Sequence, residues 1–378
     1  MSFFDKEIDR RDTHCEKWDR YKDEDIIPAW VADADFSAPI PVIDALKKRV
    51  EHGIFGYTSI DDDTNQAVVD FIKKHHNWDI KKEWIVWVNG VVSGMNLVCK
   101  MLPANSSVIT TTPIYPHFIK APKNSNLDVI KVPLKEINNR WSIDFDKFKS
   151  KISSTCKLFL LCNPYNPGGT VFTKKELKKL GKICTKYNIL ICSDEIHADL
   201  IINPKAKHIP IASLNEELQN RTITLMAPSK TFNIAGLQSS FAIIPDKKLR
   251  LNFQKELRGL GDGINLLAIT ATKTAYKEGE EWLKELKIYL EENLKLVENF
   301  VKKNNKLKML SCDATYLAWI DCSKLNQESP YEFFLKFKVG LSDGNGFGNK
   351  DFVRLNFATT KKNLNEILRR MQKAMDSI

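Results

Sequence analysis

Three polar segments in this chain each follow an apolar run of strand length: Asn166 in NPYNPGG after KLFLLC (157–162), Asp194 in SDEIHAD after ILIC (189–192), and Ser229-Lys230 in APSKTFN after TITLM (222–226). In open α/β sheets ligands bind beyond the carboxyl ends of the strands, so the three segments are candidates for a single site. The lysine carries the most information. It lies between buried strand residues and the apolar turn IAGL (234–237), where desolvation lowers the pKa of an amine and makes it a usable nucleophile. Taken singly, each residue has a plainer reading. Lys230 could be a surface lysine, SDEIHAD a capped loop or a carboxylate–histidine metal site, and Asn166 the fixing point of a proline-flanked turn. Other catalytic patterns do not occur: there is no HExxH, GxxxxGK[ST] or GxSxG, and GLGDG (259–263) misses the dinucleotide spacing.

The elements that must position these residues can be read from apolar periodicity. Residues 39–52 and 62–77 read as amphipathic helices, and from residue 84 short apolar runs alternate with helical patterns, the mark of a parallel sheet. Candidate strands are WIVWV (84–88), VITTT (108–112), LDVIKV (127–132), KLFLLC, ILIC, TITLM and FAIIP (241–245), all apolar enough to be buried. Leu177, Leu180, Cys184 and Tyr187 recur at helical spacing between two of them, as a βαβ crossover requires. After residue 280 the pattern changes. Leu283, Leu286, Leu290, Leu294, Val297 and Val301 mark one long helix, and TYLAWI and FVRLNFA then alternate with helices. A spine joining two domains accounts for that helix better than a partner-binding coil. The expected fold is therefore α/β, a mostly parallel, helix-covered sheet in a large domain over 45–279, with a smaller α+β domain from 1–44 and 280–378.

A chain of 378 residues suits about two domains. With 43% hydrophobic and 28% charged residues it is ordinary globular protein. The start MSFFDKEIDRRD has no targeting pattern, and no stretch approaches the ~18 apolar residues of a membrane span. A soluble cytoplasmic protein without a membrane partner is expected. The eight cysteines are scattered, without CxxC, and several sit in apolar runs, as reduced structural thiols do; neither disulfides nor a metal is expected. The net charge of +10 comes mostly from lysines spread along helical faces, which favours a solvated surface over nucleic-acid binding.

The order Asn166, Asp194, Lys230 resembles the aspartate-aminotransferase fold type of pyridoxal-phosphate enzymes. PAWVADADFSAP (28–39), FGYT (55–58), TPIYPHF (112–118), DEIH, SKTFN, ATYLAW and FVRLN narrow the resemblance to the cystathionine β-lyase and cysteine desulfhydrase branch, from Phe3 to the last helix. The resemblance implies an aminotransferase-like fold holding pyridoxal 5′-phosphate. Lys230 would bind the cofactor aldehyde covalently and later take the Cα proton. Asp194 would keep the pyridine nitrogen protonated, so that the ring can accept electrons. Asn166 and His197 would hydrogen-bond its phenolic oxygen, and Tyr115 would stack on its face. Gly90, Val91 and Val92 in VNGVVSGMNLV, where strand turns into helix, would hold the phosphate, with Ser229 adding a hydroxyl. Tyr57 would reach the phosphate of a neighbouring subunit, which implies a homodimer with shared sites. Arg354 would grip the α-carboxylate of an amino-acid substrate as a bidentate fork. Two positions depart from the wider family: Ala227 stands where many relatives have a serine, and Gln238 where many have an arginine, both on the phosphate. Loss of that arginine fits the lyase branch. The activity implied is carbon-sulfur β-lysis of cystathionine, cysteine or another S-substituted cysteine to a thiol, pyruvate and ammonia. An aminotransferase of the same fold is the alternative, and a non-catalytic scaffold or basic nucleic-acid binder the alternative of another class.

Overall fold

The computed structural model describes residues 2–22, 24–260 and 263–378; two residues of GLGDG, 261 and 262, lie outside them. Seven strands form the main sheet in the order Ile85–Val88, Ser240–Ile243, Thr222–Met226, Leu190–Asp194, Cys156–Cys162, Ser107–Thr112 and Asp128–Pro133. The last five run parallel to one another, whereas Ser240–Ile243 is antiparallel to the strands on both sides. The sheet is thus mixed, and this reversal is not visible in the apolar run FAIIP.

Side chains alternate between the sheet's faces, and the packing records it. Ile85 and Trp87, with Phe241 and Ile243, enter one apolar cluster, while Val86 and Val88, with Ala242 and Ile244, enter a second. The Asp128–Pro133 strand corrects the expectation that every strand is buried. It is the sheet's edge, and only Val132 in it is fully buried; Asp128 and Lys131 face water and discourage further pairing there.

The Lys174–Lys186 helix opens with a Thr173/Glu176 capping box and buries the expected Leu177, Leu180 and Cys184 together with Ile183, whereas Tyr187 follows the helix end and is exposed. The long helix, Glu280–Lys303, buries Leu283, Leu286, Leu290, Leu294, Val297 and Val301. Behind it lies a four-stranded sheet in the order Lys308–Met309, Leu317–Asp321, Phe352–Asn356 and Ser342–Asp343. One apolar cluster runs from Phe4 through Trp87 and Phe241 to Leu286, Leu355 and Ile367, so the long helix packs into a core common to both sheets.

Between the sheets passes an irregular segment, residues 30–36, anchored by charge. Arg10 binds Asp33 at 2.6 Å and Asp35 at 2.8 Å, and Lys17, only 1% exposed, binds Asp35 at 2.9 Å. Burial alone would raise the Asp35 carboxyl, but Lys17 and Arg10 outweigh it and hold it below its ordinary 3.8. A carboxyl lowered in the folded state stabilises above its unfolded pKa, and that contribution is lost as pH falls through the folded value. Asp35→Asn strands a buried ammonium, and breaking such a pair costs about 3–5 kcal/mol. The expected result is a lower urea midpoint near neutrality, with the gap from wild type narrowing below pH 3.8, measured by denaturation across pH.

Candidate active site

The Thr222–Met226 strand is wholly buried. Beyond Ala227 the chain closes a tight turn, with the Phe232 N–H donating to Pro228 O at 2.9 Å and the Ile234 N–H to Ser229 O at 3.0 Å. The turn sends Lys230 across to residues 30–36, where Nζ donates to Ala32 O at 2.6 Å. Burial holds this amine below its usual value; Asp33 and Asp194 pull it up, and Arg354 pushes it down. Lys17 makes an instructive contrast. It is fully buried, whereas Lys230 is half-buried, and Asp35 neutralises it directly. Among the described residues no carboxylate lies within ion-pair distance of Lys230, which leaves it the more nucleophilic of the two.

Asp194 ends the Leu190–Asp194 strand, 7% exposed, with Oδ1 accepting the Ile196 N–H at 3.1 Å. No cation pairs with it among the described residues. Burial pushes its pKa to about 7, with Glu195 adding to the rise, while the Ile196 N–H and Lys230 oppose it. A cation held against this carboxylate would restore its charge. His197 is also buried, and burial, Lys230 and Arg354 push its pKa to about 3. The imidazole is therefore neutral, and its Nδ1 finds no hydrogen-bond partner among the described residues.

Arg354 occupies the middle of the Phe352–Asn356 strand, opposite Trp319 and Ser342. It is 5% exposed and has only neutral partners: Asn166 Oδ1 at 3.1 Å, Trp30 O at 2.8 Å and Ser342 Oγ at 3.2 Å. Its guanidinium also lies 4.6 Å from the Phe347 ring centroid. Burial lowers its pKa to about 10, yet it remains charged, with Nε unpartnered among the described residues. A buried cation without a counter-ion is costly, and an anionic carboxylate would offset that cost. Since Asn166 gives its oxygen to Arg354, its Nδ2 is the group left to donate elsewhere. Tyr115 is raised by burial, with Asp194 adding to the rise and Arg354 opposing it.

The Val91–Lys100 helix starts at Gly90, whose φ of 138° suits glycine, and no side chain caps its first turn. The Gly90 N–H is already engaged, donating to Ser240 Oγ at 2.9 Å. The N–H groups of Val91 and Val92 therefore remain for an anion. Ser229 is 8% exposed, in the lysine turn. Ala227 is buried, and Gln238 is exposed in a left-handed conformation, φ 55°. Tyr57 is not brought to this site; it is 113% exposed, in a segment without regular structure.

These groups fit pyridoxal 5′-phosphate: an amine for its aldehyde, an uncompensated carboxylate for its ring nitrogen, a neutral imidazole and an amide for its phenolic oxygen, and a helix N-terminus for its phosphate. Motif reading missed the carbonyls of Trp30 and Ala32, although WVADADF contains them, and the hydroxyl of Tyr316, which also donates to Ala32 O, at 3.1 Å, although ATYLAW contains it. Ser342 and Ser240 lie in no motif.

The chain belongs to the aminotransferase class I and II family, whose model matches residues 31–371. It is 38% identical to the cystathionine β-lyase PatB of Bacillus subtilis (strain 168), over 98% of this chain and 99% of that one. Its structure is similar to that of OvoB, with TM-score 0.97, 41% identity and 99% of each chain covered. It is also similar to cystalysin from Treponema denticola, which contains pyridoxal 5′-phosphate, with TM-score 0.95, 33% identity and 100% of each chain covered.

Arg354→Lys tests the carboxylate assignment, because a point charge replaces the planar fork. Loss of one charged hydrogen bond is worth about 1.5–3 kcal/mol. KM for an amino-acid substrate should rise roughly 10–100-fold, with a smaller fall in kcat. Steady-state kinetics that leave KM unchanged would remove Arg354 from substrate binding.

Proposed function

We propose that this chain is a pyridoxal-phosphate-dependent carbon-sulfur β-lyase acting on cystathionine, cysteine or another S-substituted cysteine. The observation that carries the reading is that the half-buried Lys230 and the buried Asp194 and Arg354 are, among the described residues, all without an opposite charge, in a chain so similar to a cystathionine β-lyase over its full length. The cofactor, when bound, supplies an electron sink for charge developing at Cα. Arg354 holds the substrate carboxylate and so fixes which Cα bond faces Lys230. The lysine amine, whose pKa burial lowers, is the base that takes the Cα proton. Asp194, ionised against the ring nitrogen, keeps that nitrogen's proton in place. With sulfur on Cβ, the Cβ–S bond breaks and the sulfur leaves with the bonding pair. In total, S-substituted cysteine and water yield thiol, pyruvate and ammonia.

The decisive experiment is a substrate panel with no keto acid added. Cystathionine or an S-alkyl cysteine should give pyruvate, ammonia and thiol in equal amounts, and Lys230→Ala should give none. Turnover that needs a keto-acid acceptor and leaves the aminated cofactor when the acceptor is withheld would make the enzyme an aminotransferase. A purified protein without cofactor colour would return it to the scaffold or nucleic-acid class.

The same reading covers assembly and location. Residues 51–59 are all exposed, among them Ile54, Phe55 and Tyr57. A homodimer that covers them and brings Tyr57 to the partner's phosphate accounts for three large exposed apolar side chains in a row. The cytoplasm accounts for eight free cysteines, seven of them buried, and no helix among the described residues is long and apolar enough to cross a membrane. Division at 45–279 is supported by the main sheet lying wholly within those residues and the four-stranded sheet wholly after them. Mixing Tyr57→Phe with Lys230→Ala subunits tests the shared site. Mixed dimers contain one site with both native residues, so activity should exceed that of either variant alone; an active species sedimenting as a monomer excludes the arrangement.

A further inference from the structure

The loop that leaves the Leu190–Asp194 strand carries two more carboxylates, and both are met by imidazoles. Glu195, 1% exposed, accepts from Ser193 Oγ and His208 Nε2, each at 2.7 Å. Asp199, 8% exposed, accepts from His76 Nε2 and Thr231 Oγ1, each at 2.8 Å. A carboxylate oxygen can only accept, so both rings present an N–H to it. The rings of His76 and His208 meet edge to face at 5.4 Å, which joins the pairs into one buried block. Burial would raise Asp199, yet the bonds from His76 and Thr231 outweigh it and hold the carboxyl below its ordinary value.

The block stands directly behind the chemistry. Asp194 precedes Glu195, and Lys230 precedes Thr231. A buried hydroxyl can be satisfied cheaply by a local carbonyl, as Thr222 is by Leu218 O at 2.7 Å. Thr231 instead reaches a charged acceptor 32 residues away, on the loop that carries Asp194. Buried ion pairs are poor sources of stability compared with apolar packing, and direction is what they offer. The Asp199–Thr231 bond ties the lysine turn to the aspartate loop, and His76, at the end of the Asp62–His76 helix, braces it from behind.

We propose that Thr231 and Asp199, backed by His76, are positioning residues that fix the backbone at 230–231 and so aim the Lys230 amine at the substrate Cα. The assignment rests on reading the chain as a pyridoxal-phosphate enzyme. Thr231→Val in the holoenzyme removes one hydroxyl at constant shape, and misplacement by about 1 Å costs on the order of 10²-fold. Thr231→Val should lower kcat about 10–100-fold with KM little changed, and should weaken the visible circular dichroism of the bound cofactor, which reports how the protein holds it. Thr231→Ser should restore both. Asp199→Asn combined with Thr231→Val should be no worse than Asp199→Asn alone, because the two remove one interaction. If Asp199→Asn does not fold, the Val and Ser variants still decide. Wild-type kcat and dichroism in Thr231→Val overturn the positioning role alone, as does a Ser variant as impaired as the Val one. A wild-type protein that binds no cofactor overturns the reading beneath it.

Discussion

The site depends on how the carbonyls of residues 30–36 are shared. In this irregular segment between two sheets the Asp33 and Asp35 N–H groups find backbone carbonyls, and side chains take most of its C=O groups. Arg354 and Ser342 take Trp30 O, at 2.8 and 2.7 Å, and Asn356 takes Val31 O and Asp33 O, each at 2.6 Å. Lys230 and Tyr316 take Ala32 O, and Asn233 takes Ala34 O and Phe36 O. The segment thus holds the groups proposed to meet the substrate, and they hold it. Arg10 and Lys17 anchor it from the other side through Asp33 and Asp35. Asn233, three residues past Lys230, adds a link from the lysine turn itself.

Burial then does to the site what solvent would prevent. It raises Asp194 and lowers His197, Lys230 and Arg354, in every case disfavouring the charged form. Elsewhere buried charge is matched, as at Lys17–Asp35 and Arg10–Asp35. The contrast separates the two kinds of buried polar group. Matched pairs fix backbone direction, while the unmatched groups are complementary to a ligand with an anionic carboxylate, a basic ring nitrogen and an aldehyde. A folded chain tolerates such frustration where it serves function.

SDEIHAD shows how one short motif serves both purposes. Its carboxylate–histidine pairing exists, but the histidines come from residues 76 and 208, and among the described residues no group of three or more His, Cys, Asp or Glu could hold a metal. His197, the histidine inside the motif, lies edge to face with Tyr316 at 6.2 Å instead. Spacing along the chain could not distinguish these partners.

Apolar periodicity is local, and it determined the strand and helix positions, the long helix at 280 and the junctions where Asn166, Asp194 and Lys230 emerge. Residue type determined what chemistry those junctions could support. Tertiary structure decided the rest, because the deciding contacts join residues far apart. The reversed Ser240–Ile243 strand brings Ser240 to Gly90 and removes one expected anion donor. Position at the sheet edge, not composition, exposes Asp128–Pro133. Arg354 is mid-strand, and Asn166 gives its oxygen to it across 188 residues. Which hydrogen-bonding groups are already taken, and which stay free for a ligand, depends on neighbours that only folding supplies.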